Sequence, residues 1–182
     1  SKLYISTGYG ISVYDLETLE FGDTYYIGSL GSQIAVTQTT VYGDFIYAST
    51  SSNGLKSALV NDENIIDYEQ WTTTSSGGYK GIQTLGNELY ALNNMNVLFR
   101  LDPNLEFIEI DSFLTNVIDF GVQSNILTIT TENSIEAYQE GYGEPLATVG
   151  NLNYDYTLQS GYFYNNTFYL GTTTLGMLVV PE

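Results

Sequence analysis

The chain of 182 residues contains no cysteine and no histidine. Without cysteine there is no disulfide framework, no thiolate metal site and no thiol nucleophile, although the absence does not fix the compartment. Without histidine the commonest general base is missing, along with the usual nucleophilic triads and nearly all zinc and haem sites. Enzymatic options reduce to carboxylates. Basic residues are almost as scarce: Lys2, Lys56, Lys80 and Arg100 stand against 21 acidic residues, for a formal net charge of −17. Such a surface repels phosphate backbones, whose binding requires several Lys or Arg contacts, so nucleic acid and anionic membranes are poor candidates as partners. Charged residues make up only 14% of the chain, so base is depleted more than acid is enriched. No run of about 18 apolar residues occurs, and no basic segment leads into an apolar one. Neither membrane insertion nor a signal peptide is expected within these residues. Starting at Ser1 also fits trimming of an initiator Met, and export would need a leader already removed.

What is present is a repeat. "LYIST" at Leu3, "IYAST" at Ile46, "LYALN" at Leu89, "LTITT" at Leu127 and "FYLGT" at Phe168 recur about every 40 residues. Each is followed by a turn and a second apolar segment, such as "GISVYDLET" or "VLFRLDPN", and four are preceded by a further one, such as "TTVYGDF" or "IQTLGNE". A looser fourth segment closes the unit in "DTYYIG", "IIDYEQW", "EFIEID" and "PLATVG". The alternation has period two, the segments are rich in β-branched and aromatic residues, and the turns carry Gly, Asn and Asp. Four antiparallel strands repeated at this spacing are the signature of a β-propeller blade.

The units resemble those of the β-propeller superfamily, and "LYISTGYGISVYDLET" is similar to the strand pair of Kelch-like and surface-layer-type repeats. The expected fold is therefore all-β: a single domain spanning residues 1–182, with about five four-stranded blades in a ring. The first unit lacks an inner strand and the last lacks an outer one. A four-bladed ring and a β-sandwich are the alternatives. In the "LYxxT" strands, Leu3, Ile5, Ile46, Ala48, Leu89, Ala91, Leu127, Ile129, Phe168 and Leu170 are expected to face the core between blades. "TTTSSGG" (residues 72–78) reads as a mobile loop between blades, and "SSNG" (51–54) as a hairpin tip.

Some five-bladed propellers hydrolyse glycosides with carboxylates in the central channel, and Asp119, Asp155 and Lys80, near inner strands, are the candidates for that role. They read better as strand-end residues satisfied by turns and solvent. "NDENIID" (61–67) gathers oxygen ligands, but Ile65 and Ile66 stand where a calcium loop wants a ligand or a glycine. No cofactor, metal or catalytic residue is assigned.

The 17 tyrosines are the compositional oddity. Tyr4, Tyr47, Tyr90 and Tyr169 recur at one repeat position and read as blade packing. Tyr9 and Tyr142 in Gly-Tyr-Gly turns, Tyr25, Tyr26, Tyr154 and Tyr156, with Tyr162 and Tyr164, read as loop residues offering rigid contact area with a polar tip. Together with the terminal strand Leu178, Val179 and Val180, whose outer edge lacks a partner, the first six define a candidate interface. The function expected is a non-enzymatic structural or recognition module on the exterior of a large assembly, with other protein subunits as partners. A virion capsid or tail comes first as its setting, then a cell-surface layer. A secreted or cell-surface glycan-binding lectin is the alternative, and a carboxylate glycosidase the third reading.

Overall fold

The computed structural model describes residues 1–141, 143–150, 152 and 155–182. The alternating segments form five antiparallel sheets in chain order. Blade 1 comprises β1 (Lys2–Thr7), β2 (Gly10–Asp15) and β3 (Glu20–Tyr25). Blade 2 comprises β4 (Val36–Tyr42), β5 (Phe45–Thr50), β6 (Leu55–Leu59) and β7 (Thr72–Ser75). Blade 3 holds β8 (Tyr79–Leu85), β9 (Glu88–Asn93), β10 (Val97–Leu101) and β11 (Phe107–Ser112). Blade 4 holds β12 (Val117–Gln123), β13 (Ile126–Thr131), β14 (Ile135–Tyr138) and β15 (Ala147–Val149), and blade 5 β16 (Leu158–Tyr164), β17 (Thr167–Thr172) and β18 (Met177–Pro181). The architecture is that of a β-propeller whose first blade lacks the inner strand and whose last lacks the outer one, as the repeat implied. Among the described residues the helices are two single 3-10 turns, Ser29–Gly31 and Tyr68–Gln70.

Turn chemistry sets the register. Ser124 and Asn125 (φ 51° and 59°) and Asn165 and Asn166 (φ 48° and 53°) place paired left-handed residues at the β12–β13 and β16–β17 tips, whose twist matches that of the flanking strands. At the β5–β6 tip, Thr50 Oγ1 donates to the Gly54 carbonyl at 2.7 Å and accepts from Asn53 N at 2.8 Å.

Consecutive blades pack face to face through four buried clusters. Ile11, Val13, Ile46 and Ala48 join blades 1 and 2; Tyr47, Leu55, Ile82, Leu89 and Ala91 join blades 2 and 3. Tyr90, Leu98, Phe120, Leu127 and Ile129 join blades 3 and 4; Ile135, Phe163, Phe168 and Leu170 join blades 4 and 5. One rule covers every second strand: its first and third apolar positions face the preceding blade, and the residue between them faces the next. Eight of the ten expected core positions are fully buried (Ile46, Ala48, Leu89, Ala91, Leu127, Ile129, Phe168 and Leu170, all 0% exposed). The other two differ: Leu3 is 48% exposed and Ile5 half-buried, because none of the described blades packs on that face of β1. None of the four clusters joins blade 5 to blade 1, so the fifth junction of a closed five-blade ring is not formed among the described residues.

The second blade departs from expectation twice. "IIDYEQW" is no strand: Asp67 caps the 3-10 turn by accepting from Glu69 N at 3.0 Å, and the Trp71 indole donates to the Ile65 carbonyl at 2.8 Å with both residues buried. The outer strand is instead Thr72–Ser75, the start of the segment read as a loop. Its polar composition hid the strand preference of three β-branched threonines.

Candidate functional site

The outer faces of the end blades stand out. On blade 5, cross-strand pairs Tyr162↔Tyr169 and Tyr169↔Val179 align side chains on the face turned away from blade 4. Phe163, Phe168 and Leu170 point the other way, into the core. The rings of Tyr162 and Tyr164 stack at 6.1 Å with planes 9° apart, and Tyr169 lies 6.1 Å from Tyr162. With Gln123, Ser160 and Met177 these tyrosines line a hollow of about 750 Å³. Tyr164 is 48%, Met177 65% and Val179 52% exposed. On blade 1 the pairs Leu3↔Tyr14 and Tyr14↔Phe21 build the opposite end, where Phe21 is 70% exposed and meets Tyr14 edge-on at 5.1 Å.

The proposed interface residues scatter. Tyr9 and Tyr26 are exposed, Tyr9 in the β1–β2 turn and Tyr26 just after β3. Tyr25 is not on the surface: it is buried between Tyr4 and Trp71, both 6.4 Å away, because its position in β3 faces blade 2, and burial pushes its phenol up to about 12. Tyr156 is half-buried against the cluster between blades 4 and 5, as are Leu178 and Val180; Val179 alone of the terminal three faces outward. Tyr142 and Tyr154 lie outside the described residues. Tyr162 and Tyr164 sit on strand β16, not in a loop, and Tyr169 joins them. Their spacing of two residues was the available signal, since it puts both on one face of a strand.

Near the inner strands, polar side chains tie blades together. Gln38 Nε2 donates to the Phe120 carbonyl at 2.9 Å, while its Oε1 accepts from Ile82 N at 3.0 Å and Gln83 Nε2 at 3.1 Å. Lys80 Nζ donates to Asn96 Oδ1 and Asn116 Oδ1, both at 2.6 Å, and to the Val117 carbonyl at 3.0 Å; burial lowers its pKa. Asp119 Oδ2 accepts from Gly161 N at 3.2 Å, joining blade 4 to blade 5, and Asp155 is exposed. Lys80 and Asp119 thus each help to hold neighbouring blades together. In "NDENIID", Asp62 Oδ1 accepts from Asn64 N at 2.7 Å and Ile65 is buried, as a packed turn requires.

Two acid–phenol groups sit on blades 3 and 4. The Tyr90 hydroxyl donates to Glu88 Oε2 at 2.8 Å, and Arg100 Nη1 neutralises Glu88 Oε1 at 2.9 Å. On the third strand of blade 4, the Tyr138 hydroxyl lies 2.6 Å from Glu136 Oε2 and 2.7 Å from Asp111 Oδ2 of blade 3. A phenol has one proton, so Tyr138 donates to one of the two carboxylates at a time, and Asp111 also accepts from Ser112 N at 2.7 Å. Burial pushes the Glu136 carboxyl up; the Tyr138 bond opposes that, and the charges of Asp111 and Glu144 add to it.

With sheets and faces in place, the class is a β-propeller, and the comparisons with known proteins agree. The family described as "TSS9, PorZ, N-terminal beta-propeller domain" matches residues 1–72. No curated protein matches. Among solved structures, PorZ of Porphyromonas gingivalis, described as an essential bacterial surface component of the type-IX secretion system, superposes with a TM-score of 0.74 at 20% identity, over 98% of this chain and 23% of PorZ. The extracellular domain of BT4673 from B. thetaiotaomicron gives 0.69 at 18% identity, over 100% of this chain and 25% of that one. The computationally designed Ika4 protein gives 0.60 at 10% identity, over 88% of this chain and all of its own. The chain thus spans about a quarter of the two natural proteins.

Proposed function

We propose that this propeller is a non-enzymatic module for protein–protein interaction within an assembly at a cell surface, and that it works through the outer faces of its first and last blades. The observation that carries the reading is positional. Leu3 and Ile5 occupy the repeat positions that are fully buried in every later blade, and Tyr169 occupies the position of the buried Tyr47 and Tyr90. Surfaces built like the interior of the fold but left uncovered are suited to a protein neighbour. The likeness to PorZ supports a cell surface as the setting, and the comparisons do not support a virion.

A second reading, glycan binding, is favoured by one observation, the stacked Tyr162–Tyr164 pair lining the blade 5 hollow. A photoactivatable phenylalanine placed at Met177 or Leu3 in the producing cells separates the two, with exposed Leu114 as the control site. Protein adducts at Met177 and Leu3 that are absent at Leu114 support the interaction module. Adducts to carbohydrate alone support the lectin, and no adducts above the control refute both.

A further inference from the structure

From the surroundings of Lys56 we infer that the hollow between blades 1 and 2 is a binding site for an organic monocarboxylate with an apolar body. The site is separate from the end-blade faces and goes beyond the interaction reading. The chain has four basic residues against 21 acidic ones, and one of the four is held inside. Lys56 is 8% exposed. On β6 it alternates with Ala58 and pairs with Ala48, both members of the cluster joining blades 1 and 2, so its side chain lies on the blade 1 side of the strand. An ammonium has three donors. One reaches Thr73 Oγ1 at 3.3 Å, and the other two have no partner among the described residues. Lys80, by contrast, uses all three, at 2.6, 2.6 and 3.0 Å. The described ion pairs, Ser1–Glu17 and Arg100–Glu88, leave Lys56 without a carboxylate. Burial lowers its pKa, the sign of a charge held at a cost, and a bound anion offsets that cost.

Two connections build the space around the amine. The 3-10 turn Ser29–Gly31, on the way from blade 1 to blade 2, meets the 3-10 turn Tyr68–Gln70, which leads into β7. A hollow of about 340 Å³ there is lined by Ile27, Leu30, Lys56, Tyr68, Glu69 and Trp71, among others. The Trp71 indole N–H is spent on the Ile65 carbonyl, so its ring offers the hollow apolar surface. Leu30 adds an apolar side chain that is 86% exposed, on a left-handed backbone (φ 56°, ψ 31°) that a bulky residue seldom adopts. The two carboxylates of the second turn are engaged locally: Glu69 Oε1 accepts from the Tyr68 hydroxyl at 3.2 Å, and Asp67 Oδ1 from Glu69 N at 3.0 Å. A concave, mostly apolar site with one placed charge is the usual form of a small-ligand pocket. The charge of the ligand follows from the whole chain, since at −17 net a monoanion is repelled less than a phosphate dianion or a polyanion.

Trp71 is the only tryptophan of the chain, so its fluorescence reports on this hollow. Phenylacetate and N-acetylphenylalanine are titrated near pH 7, beside phenylacetamide. A saturable change in Trp71 emission with either acid, weaker by about ten-fold or more with the amide and with the acids on Lys56→Met, supports the site. Lys56→Arg keeps the charge and should retain binding. A preference of about ten-fold for N-acetylphenylalanine assigns the ligand to a polypeptide C-terminus, and the reverse preference to a free acid. A second readout needs no variant: acetylation by N-hydroxysuccinimidyl acetate, followed by peptide mass spectrometry, compares Lys2, Lys56 and Lys80 within one chain. Phenylacetate at about ten times its Kd should slow Lys56 by about ten-fold and leave the other two lysines at their own rates. Three results overturn the proposal: no saturable binding of either acid, equal binding of acid and amide, or acids that bind and leave Lys56 acetylation unchanged. Any of these would leave photo-adducts at Met177 and Leu3, and with them the interaction module, untouched.

Discussion

The side-chain amide of Gln38 on blade 2 donates to the Phe120 carbonyl on blade 4 at 2.9 Å, reaching past blade 3. Its oxygen meanwhile accepts from Ile82 and Gln83 on blade 3, so one residue fastens three blades near their inner strands. Gln38→Ala leaves the Ile82 N–H and Phe120 carbonyl without these partners, and a cost of about 1–3 kcal/mol is expected by urea denaturation. Gly81 makes room for this amide: a Cβ there would collide with Gln38 Oε1. Gly81→Ala should therefore cost a similar amount, and the double variant less than the sum, because both changes break the same contact.

Repeat-equivalent residues should differ in cost according to their neighbour. Leu127 is fully buried against blade 3, so Leu127→Ala should cost about 2–5 kcal/mol. Leu3 holds the same repeat position at 48% exposure, and Leu3→Ala should stay within about 0.5 kcal/mol in the isolated chain. Thermal or urea melts of the two variants give the comparison; equal costs would mean that blade 1 is covered in solution.

The contrast between Leu3 and Leu127 also marks how far the sequence could be read. Strand period, turn residues and the forty-residue repeat are local properties, and they were enough for five blades with incomplete ends. Burial depends on the neighbour, which a repeat position alone does not reveal. Hence Leu3 reads as core and Tyr25 as surface, the reverse of their places. Thr72–Ser75 was missed because its side chains are mostly exposed and polar, while its backbone still completes the sheet beside β6. The Tyr162, Tyr164 and Tyr169 face was visible only in part: the i, i+2 spacing is in the sequence, whereas the absence of a covering blade is a tertiary fact.

Arg100 is the one cation that compensates the Glu88–Tyr90 pair, and both members of the Arg100–Glu88 bridge are largely shielded from solvent. Removing it strands a carboxylate that also accepts from Gly141 N at 3.0 Å. Arg100→Met, which keeps much of the apolar stem, should still cost about 1–3 kcal/mol, less than a fully buried pair would. Restoring the balance with Glu88→Gln in the same chain should recover part of it, a coupling that a double-mutant cycle measures directly.

Among the described residues, blade 4 has no such cation in its acid–phenol group, so its stability should depend on pH with the opposite sign to that of a salt-bridged carboxylate. The folded chain holds the Glu136 proton above the ordinary glutamate value of 4.5, mainly through burial, while the unfolded chain releases it near that value. Between the two, the native state binds more protons than the unfolded one, so unfolding free energy falls as pH rises. The contribution is fully present below the ordinary value and is lost once pH passes the raised one. At low pH Glu136 can donate to the Tyr138 oxygen while Tyr138 donates to Asp111; at higher pH two carboxylates compete for one phenolic proton across the junction of blades 3 and 4. Glu136→Gln keeps a donor for the Tyr138 oxygen and cannot ionise. Urea melts from pH 4 upward should show wild-type stability declining relative to Glu136→Gln, the two curves approaching each other at the acid end. A difference that is constant across the range would mean that Glu136 releases its proton at the same pH in the folded and the unfolded chain, and that burial does not hold it.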